Sequence, residues 1–390
     1  MIYFRKTIHS FFLFTFLLHA YGWLFTGCTS AKRSQPEVLC VDTMAEMRPV
    51  ETRLILTFSG DYMQHIPQVN AARTRDGQFD YTQSLQHMKP FFGKADYSVI
   101  NLETTLAAGG YTGYPRFRSP KENLTALKSA GINVLALANN HCCDNGLEGV
   151  KYTVGLADSC GFRYTGVYVD TAGCKERELL MLTKGDIRVA LLNYTYGTNG
   201  LPIPAGVCVN LIDTALIAGD IDRARKQGAS DIIVLYHWGE EYSMRPGVRQ
   251  RGLAEWTCRQ GAAFVIGSHP HVIQPFRIEQ KDSAISNLTL FSMGNFISNQ
   301  SDIDSRGGLS FYIELVKEGS GATRYENAAY LLHWVHRPLR EGRKRYEVIP
   351  AFLADSILNG HEDYAAYQKF VQHARLAIGD PVGVTEMVSF

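Results

Sequence analysis

Charge of either sign is nearly absent as a net quantity: 39 basic residues stand against 38 acidic ones in 390, a formal +1. Without a basic excess there is no electrostatic argument for a nucleic-acid partner, and none is expected. No CxxC pair occurs, which removes a zinc ribbon. A Walker-type glycine loop and a GxSxG elbow are also missing, so nucleotide cradling and serine-hydrolase chemistry lack their signatures. There is no internal repeat and no low-complexity tract. Hydrophobic residues make up 45% and charged residues 20%, an ordinary globular mix that excludes wholesale disorder and fibrous architecture. At roughly 150 residues per domain, the length allows two to three domains, or one large domain with additions.

Long apolar runs are scarce too, and the main one lies at the N-terminus. Arg5 and Lys6 precede FFLFTFLLHAYGWLF (residues 11–25), followed by Gly27 and Cys28. This run is short for a membrane span and contains His19, so it reads as a secretory signal. Phe25-Thr26-Gly27-Cys28 resembles a bacterial lipoprotein box. It implies a signal over 1–27, lipidation at Cys28, and an extracytoplasmic protein held at the cell envelope on the outer or cytoplasmic membrane. Residues 28–52 are polar, aperiodic and contain two prolines, as a tether would. Removal of Arg5 and Lys6 leaves the mature chain at −1. The seven remaining cysteines (Cys40, Cys142, Cys143, Cys160, Cys174, Cys208 and Cys258) are odd in number and cannot all pair. They read mainly as small buried residues, with a bridge open to them in an oxidising compartment.

What the sequence does have is a rhythm. Over 53–304, short runs rich in Val, Ile, Leu, Phe and Tyr each end in polar residues: RLILTFSGD at Asp61, ADYSVINLE at Glu103, NVLALANNH at Asn140 and His141, DIIVLYHWGEE at His237, Glu240 and Glu241, AAFVIGSHPH at His269 and His271, and TLFSMGNF near Asn295. Runs of this length and composition predict strands buried on both faces. Helices are expected over 123–130, 147–159, 214–226 and 248–259, with Asn123 and Asp213 as N-caps and Gly131, Gly161, Gly228 and Gly261 as stops. Alternating strands and helices give an α/β fold, whose ligands gather beyond the carboxyl ends of the strands. Asp, Glu, Asn and three His at those ends form a hard oxygen and imidazole donor set that suits Mn, Zn or Fe more than Mg. Each residue alone has an ordinary structural explanation; the ordered set points to one or two divalent transition metals.

The blocks Gly60-Asp61, Asn101-Leu102-Glu103, Ala138-Asn139-Asn140-His141 with Asp144 and Gly146, Tyr236-His237-Trp238-Gly239-Glu240-Glu241-Tyr242, Gly267-Ser268-His269-Pro270-His271 and Phe291-Ser292-Met293-Gly294-Asn295-Phe296 resemble, in order, the poly-γ-glutamate capsule biosynthesis protein CapA family. The resemblance covers roughly residues 54–296. It implies similarity to calcineurin-like metallophosphoesterases and a four-layer α/β/β/α sandwich with a small C-terminal α+β addition. By the same resemblance, Asp61 and His271 would bind one metal, Glu103 would bridge, and Asn140, His237 and His269 would bind a second. His141 would be the acid that orients substrate without ligating. This chain departs from the phosphoesterase pattern at two places: Asp61-Tyr62-Met63 has no histidine two residues after Asp61, and Glu103 replaces the usual bridging Asp. Both changes weaken the first metal position.

Two metals can activate a bound water and clamp both oxygens of an in-line displacement, and His141 can protonate a leaving group. Asp144, Glu241 and Asn295 read as residues that orient ligands or the loops carrying them. Arg116 and Arg118, together with Arg245 and Arg249, are candidates to hold a carboxylate or phosphate. Residues 305–390 are expected to add strands at 308–316, 329–338 and 344–351 and a helix over 353–377, packed on or extending the main domain, with His333 and His336 structural. The resulting function is a membrane-anchored metal-dependent hydrolase or transferase of capsule polymer synthesis or export, acting on an acidic polymer or a phosphoester beside capsule synthesis or export proteins. Two alternatives remain: a non-enzymatic accessory lipoprotein that binds polymer or partner, and a metallophosphoesterase unrelated to capsule.

Overall fold

Apolar runs buried on both faces pair with one another and leave their polar ends at a common edge, and the chain does this in three passes. The computed structural model describes residues 51–169, 179–282, 284–340 and 342–390. The signal over 1–27, Cys28 and nearly all of the 28–52 tether lie outside the described residues. In the first pass, β1 (Glu51–Tyr62), β2 (Tyr97–Leu102), β3 (Val134–Ala136) and β4 (Arg163–Thr165) pair in parallel. The second pass builds another sheet from β5 (Leu180–Lys184), β6 (Ile187–Thr195), β7 (Asp231–His237), β8 (Phe264–Ser268), β9 (Ile273–Lys281) and β10 (Ala284–Met293), in the order β9-β10-β8-β7-β6-β5. The third returns to the first sheet with β11 (Asn295–Ile297), β12 (Gly307–Glu318), β13 (Arg324–His336), β14 (Glu347–Pro350) and β15 (Thr385–Glu386). The first sheet runs β14-β13-β12-β1-β2-β3-β4, with β11 beside β1 and β15 beside β13.

Two sheets and four principal helices make four layers. Leu54, Leu56 and Phe58 of β1 meet Leu191, Leu235 and Leu290 of the second sheet in one buried cluster between the sheets. On the outer face of the first sheet, Ile100 and Leu135 pack on α1 (Glu122–Ala130) and α2 (Gly146–Ser159) through Leu127 and Val150. On the outer face of the second, Val234 and Tyr236 pack on α3 (Thr214–Lys226) and α4 (Val248–Gln260) through Ile217, Ile221 and Ala254. This is the expected α/β/β/α sandwich. Asp213 caps α3, its Oδ1 accepting from Leu216 N at 2.9 Å. Asn123 does not cap α1. It lies inside the helix, where its Oδ1 accepts from the Tyr62 hydroxyl at 2.7 Å and its Nδ2 donates to Pro120 O, so a tertiary partner claims the side chain.

The C-terminal residues extend the main sheet: β12 pairs antiparallel with β1 from Glu51 to Ser59. The single helix expected over 353–377 is two, α5 (Ala351–Leu358) and α6 (Tyr364–Ile378), separated by a turn in which Gly360 takes a φ of 78°. The break lets Phe370, Val371 and Ala374 of α6 join the cluster between the sheets. Cys142 and Cys143 are buried and free, and Cys160 and Cys258 are partly buried and free. Cys208 is disulfide-bonded, and its partner lies outside the described residues.

Register brings the polar ends together. Asp61 pairs with Asn101 of β2 and Asn295 of β11, and His237 pairs with Ser268 of β8. Asp61 N donates to Gly294 O at 3.1 Å, and a Cβ at Gly60 would fall 1.9 Å from that same oxygen. Only glycine lets the turn after β10 press onto β1 directly before Asp61.

Candidate metal centre

Asp61, Glu103, Asn140, His141, His237, His269, His271 and Asn295 are all buried at this edge. Glu103 sits at the middle. Its Oε1 lies 3.6 Å from His237 Nε2 and 3.9 Å from His271 Nε2. Donor atoms of Asp61, Glu103 and His237 fall within 4.8 Å of one another, as do those of Glu103, His269 and His271. Beside Glu103, Asp61 and His271 are in contact at 3.0 Å, and Asn140 and His237 at 2.9 Å.

The neighbours of each imidazole decide which nitrogen it presents. His271 Nδ1 faces two acceptors, Asp61 Oδ2 at 3.0 Å and Asn295 Oδ1 at 3.1 Å. Asn295 cannot turn its amide nitrogen to His271, because Nδ2 already donates to Gln300 Oε1 at 2.6 Å and Ser305 O at 2.8 Å. His271 therefore carries its proton on Nδ1 and presents Nε2 toward Glu103. His237 Nδ1 meets Ser268 Oγ at 3.1 Å, leaving Nε2 toward Asn140 Oδ1 and Glu103. The strand ends at Ser268, so the His-Pro-His segment is a loop. His269 and His271 both take positive φ, 98° and 59°, a strained backbone that turns both rings inward.

Electrostatics points the same way. Burial, then the neighbouring Asp61, push the Glu103 carboxyl well above its ordinary range, and Glu241 and Asp144 add to this. Burial and the adjacent imidazoles hold His237 well below the ordinary histidine value and His269 at about 3. Glu103 Oε1 and His269 Nδ1 are buried without hydrogen-bond partners. Two crowded carboxylates, three imidazoles of which His237 and His269 are held neutral, and two orphaned buried atoms fit a divalent cation, which would neutralise the carboxylates and satisfy the orphans.

His141 stands apart from the ligand atoms. Its Nδ1 donates to Asp144 Oδ2 at 2.8 Å, and the same oxygen accepts from Phe117 N at 2.7 Å. The Phe117 ring meets His141 edge-on at 4.6 Å. This pair fixes the ring with Nε2 free. Asn295 ties the loop, as described, and His333 braces it through Nε2 to Asn295 O at 3.2 Å. Glu241 is exposed and reaches Glu103 only through its charge. The arginines are not drawn in: Arg116 is exposed, and Arg118 Nε donates to Gly109 O at 2.6 Å. Neither, nor Arg245 or Arg249, makes a polar contact with a residue of the centre.

Several contributors lie outside the residues singled out in the sequence. Asn101 Nδ2 donates to Asp61 Oδ1 at 2.8 Å and approaches Glu103 Oε2 at 3.3 Å, a single amide between two carboxylates. Asn139 ties β2 to β3 through Leu102 O at 2.8 Å. Asn193 of β6 accepts from Ala138 N at 2.7 Å and so joins the two sheets beneath the centre. Tyr196 and Tyr242, each about half exposed (47% and 50%), pack on His269 and His271 with ring centroids 4.6 and 5.9 Å apart. The Arg337 guanidinium, half-buried and held down to about 10 by desolvation, donates to Ser298 O and Gln300 O behind the Asn295 loop. Tyr196 and Asn193 end one more apolar run, VALLNYTYGTN, which follows the same rhythm as the others.

The family model for the bacterial capsule synthesis protein PGA_cap matches residues 55–300, well over half of the chain. The chain belongs to this family. Every donor of the centre lies inside the matched span. The chain is 28% identical to the capsule biosynthesis protein CapA of Bacillus anthracis over 264 residues, 64% of this chain and 60% of that protein. It is 27% identical to the PGA biosynthesis protein CapA of Bacillus subtilis (strain 168) over 297 residues, 72% of each. Among solved structures, the calcineurin-like phosphoesterase YfkN from Bacillus subtilis aligns with a TM-score of 0.43 at 12% identity, over 84% of this chain and 100% of that one.

Proposed function

We propose that this PGA_cap family member is a metal-dependent hydrolase or transferase of the cell envelope, acting in the synthesis or export of a poly-γ-glutamate-type capsule polymer. One observation carries the reading: Glu103 Oε1 is buried, unpartnered and within 4 Å of the imidazoles of both His237 and His271. Asp61, Glu103 and His271 would hold one cation, and Glu103, Asn140, His237 and His269 a second. When bound, such cations supply an activated water and charge neutralisation at the reacting phosphoester or amide oxygen. The chain's own residues do the rest. Asp144 holds His141 with Nε2 free to give a proton to the departing group, and burial of the whole set keeps bulk water from screening the developing charge. Lipidation at Cys28 would keep the site at the membrane where polymer emerges, and capsule synthesis or export proteins would be its partners.

The test uses the full chain, stripped with chelator and reloaded with Mn²⁺ or Zn²⁺, against poly-γ-glutamate and a chromogenic phosphodiester. Cation-dependent turnover that is lost in Asp61→Ala and His269→Ala is expected; turnover untouched by both substitutions would overturn the reading. The missing histidine after Asp61, with Tyr62 and Met63 in its place, favours a second reading in which the centre shapes a binding surface for polymer or partner. Under that reading, a ligand-dead variant would still restore polymer export in cells.

A further inference from the structure

The loop that leaves β6, Tyr196-Gly197-Thr198-Asn199-Gly200, adds a group to the centre that the family blocks do not contain. The Tyr196 ring lies nearly parallel to His237 (10°, centroids 6.3 Å) and 4.6 Å from His269, so it covers the half of the centre built from Asn140 and these two imidazoles. Three residues on, Asn199 takes a φ of 51°, a left-handed conformation that Asn tolerates better than most side chains. Its Oδ1 accepts from two donors, Asn140 Nδ2 at 3.2 Å and the Tyr196 hydroxyl at 3.2 Å.

This arrangement bears on Asn140 because a carboxamide has one donating end and one accepting end. With Nδ2 engaged by Asn199, Oδ1 is turned to within 2.9 Å of His237 Nε2. A half-turn of the Asn140 amide would place its oxygen against the Asn199 oxygen. The same turn would put an N–H where the Asn140 oxygen now faces His237 Nε2, and a cation cannot be held by an N–H. We propose that Asn199, supported by Tyr196, is a positioning residue that keeps the Asn140 oxygen directed at the cation-binding half of the centre. The inference rests on the metal-centre reading above and concerns a residue that reading does not require.

Removing a partner that orients a metal ligand typically costs 10–100-fold in metal affinity, and the experiment reads that change directly. The full chain is stripped with chelator and titrated with Mn²⁺ or Zn²⁺ by calorimetry, with bound metal counted by mass spectrometry. Asn199→Gly is the informative deletion, because glycine adopts the positive φ without strain and the loop keeps its path. It is expected to bind the cation 10–100-fold more weakly, while its unfolding midpoint in chelator matches wild type. Asn199→Asp, which can only accept and also tolerates the left-handed region, is expected to bind at least as tightly as wild type. Tyr196→Phe is expected to fall between the two. Wild-type affinity in Asn199→Gly, or equal weakness in Asn199→Asp, would overturn the proposal while leaving the metal centre standing. A wild-type chain that takes up no cation would overturn the metal reading and the proposal with it.

Discussion

Substitution of Glu103 by Gln should stabilise the metal-free protein at neutral pH and reduce the stabilisation that a cation supplies. In the metal-free protein this carboxyl is fully buried beside Asp61, with Oε1 unpartnered and its proton affinity raised well above the ordinary value of 4.5 by burial and by Asp61. The unfolded chain releases that proton above pH 4.5 whereas the folded chain retains it. Wild type therefore loses stability as pH rises, by about 1.4 kcal/mol per pH unit while the folded carboxyl stays protonated. Glutamine cannot lose a proton, so in chelator Glu103→Gln should match wild type below pH 4.5 and become the more stable protein as pH rises. With cation at 100 times its dissociation constant, wild type should gain about 2.7 kcal/mol. The variant, having exchanged an anionic oxygen shared by both halves for a neutral amide, should gain less. Urea unfolding of the full chain, with chelator and with Mn²⁺ at pH 4, 5.5 and 7, measures both arms. A variant less stable than wild type in chelator at pH 7, or one gaining as much from Mn²⁺, would refute the reasoning.

Two further outcomes follow from the same geometry. His141→Ala should lower turnover by about 10²–10⁴, the usual contribution of a positioned acid, with cation stoichiometry unchanged, since His141 Nδ1 is engaged by Asp144 and not by the donor set; loss of bound cation in this variant would show His141 to be a ligand. In chelator, His269 holds its proton only below about pH 3, against 6.5 for an ordinary histidine. The unfolded chain thus binds the extra proton between these values, and metal-free stability should fall as pH is lowered through that window, by about 1.4 kcal/mol per unit from this residue. His269→Asn should flatten that slope by one proton, and an unchanged slope would contradict the assignment.

The sequence made the centre legible where strand geometry and chemistry coincide. Asp61, Glu103, His237 and the His269–His271 pair each end or follow an apolar run, and parallel strands deliver such ends to one edge whatever the intervening helices do. The layers were legible for the same reason, because runs buried on both faces need cover from helices on the outside. What escaped is the work of amides. Asn101, Asn193 and Asn199 act through the direction of one N–H or one oxygen, which no spacing in the sequence encodes. Asn123 reads as a cap from its neighbours, yet the Tyr62 hydroxyl 61 residues away claims its side chain. The 353–377 helix reads as continuous because its composition is helical throughout; only packing between the sheets shows why a turn at Asn359-Gly360 divides it. Arg116 and Arg118 drew attention as anion holders through their charge; what the sequence does not encode is that Arg118 Nε donates to the carbonyl of Gly109.

The central claim is that the buried edge of strand ends is a metal centre arranged around Glu103. Anomalous diffraction at the absorption edge of the bound element, from crystals of the full chain grown with Mn²⁺ or Zn²⁺, tests it most directly. The account predicts density against Glu103 Oε1, flanked by Asp61 and His271 on one side or by Asn140, His237 and His269 on the other, or at both places. Crystals grown with cation that show no anomalous peak within ligand distance of Glu103 would contradict it.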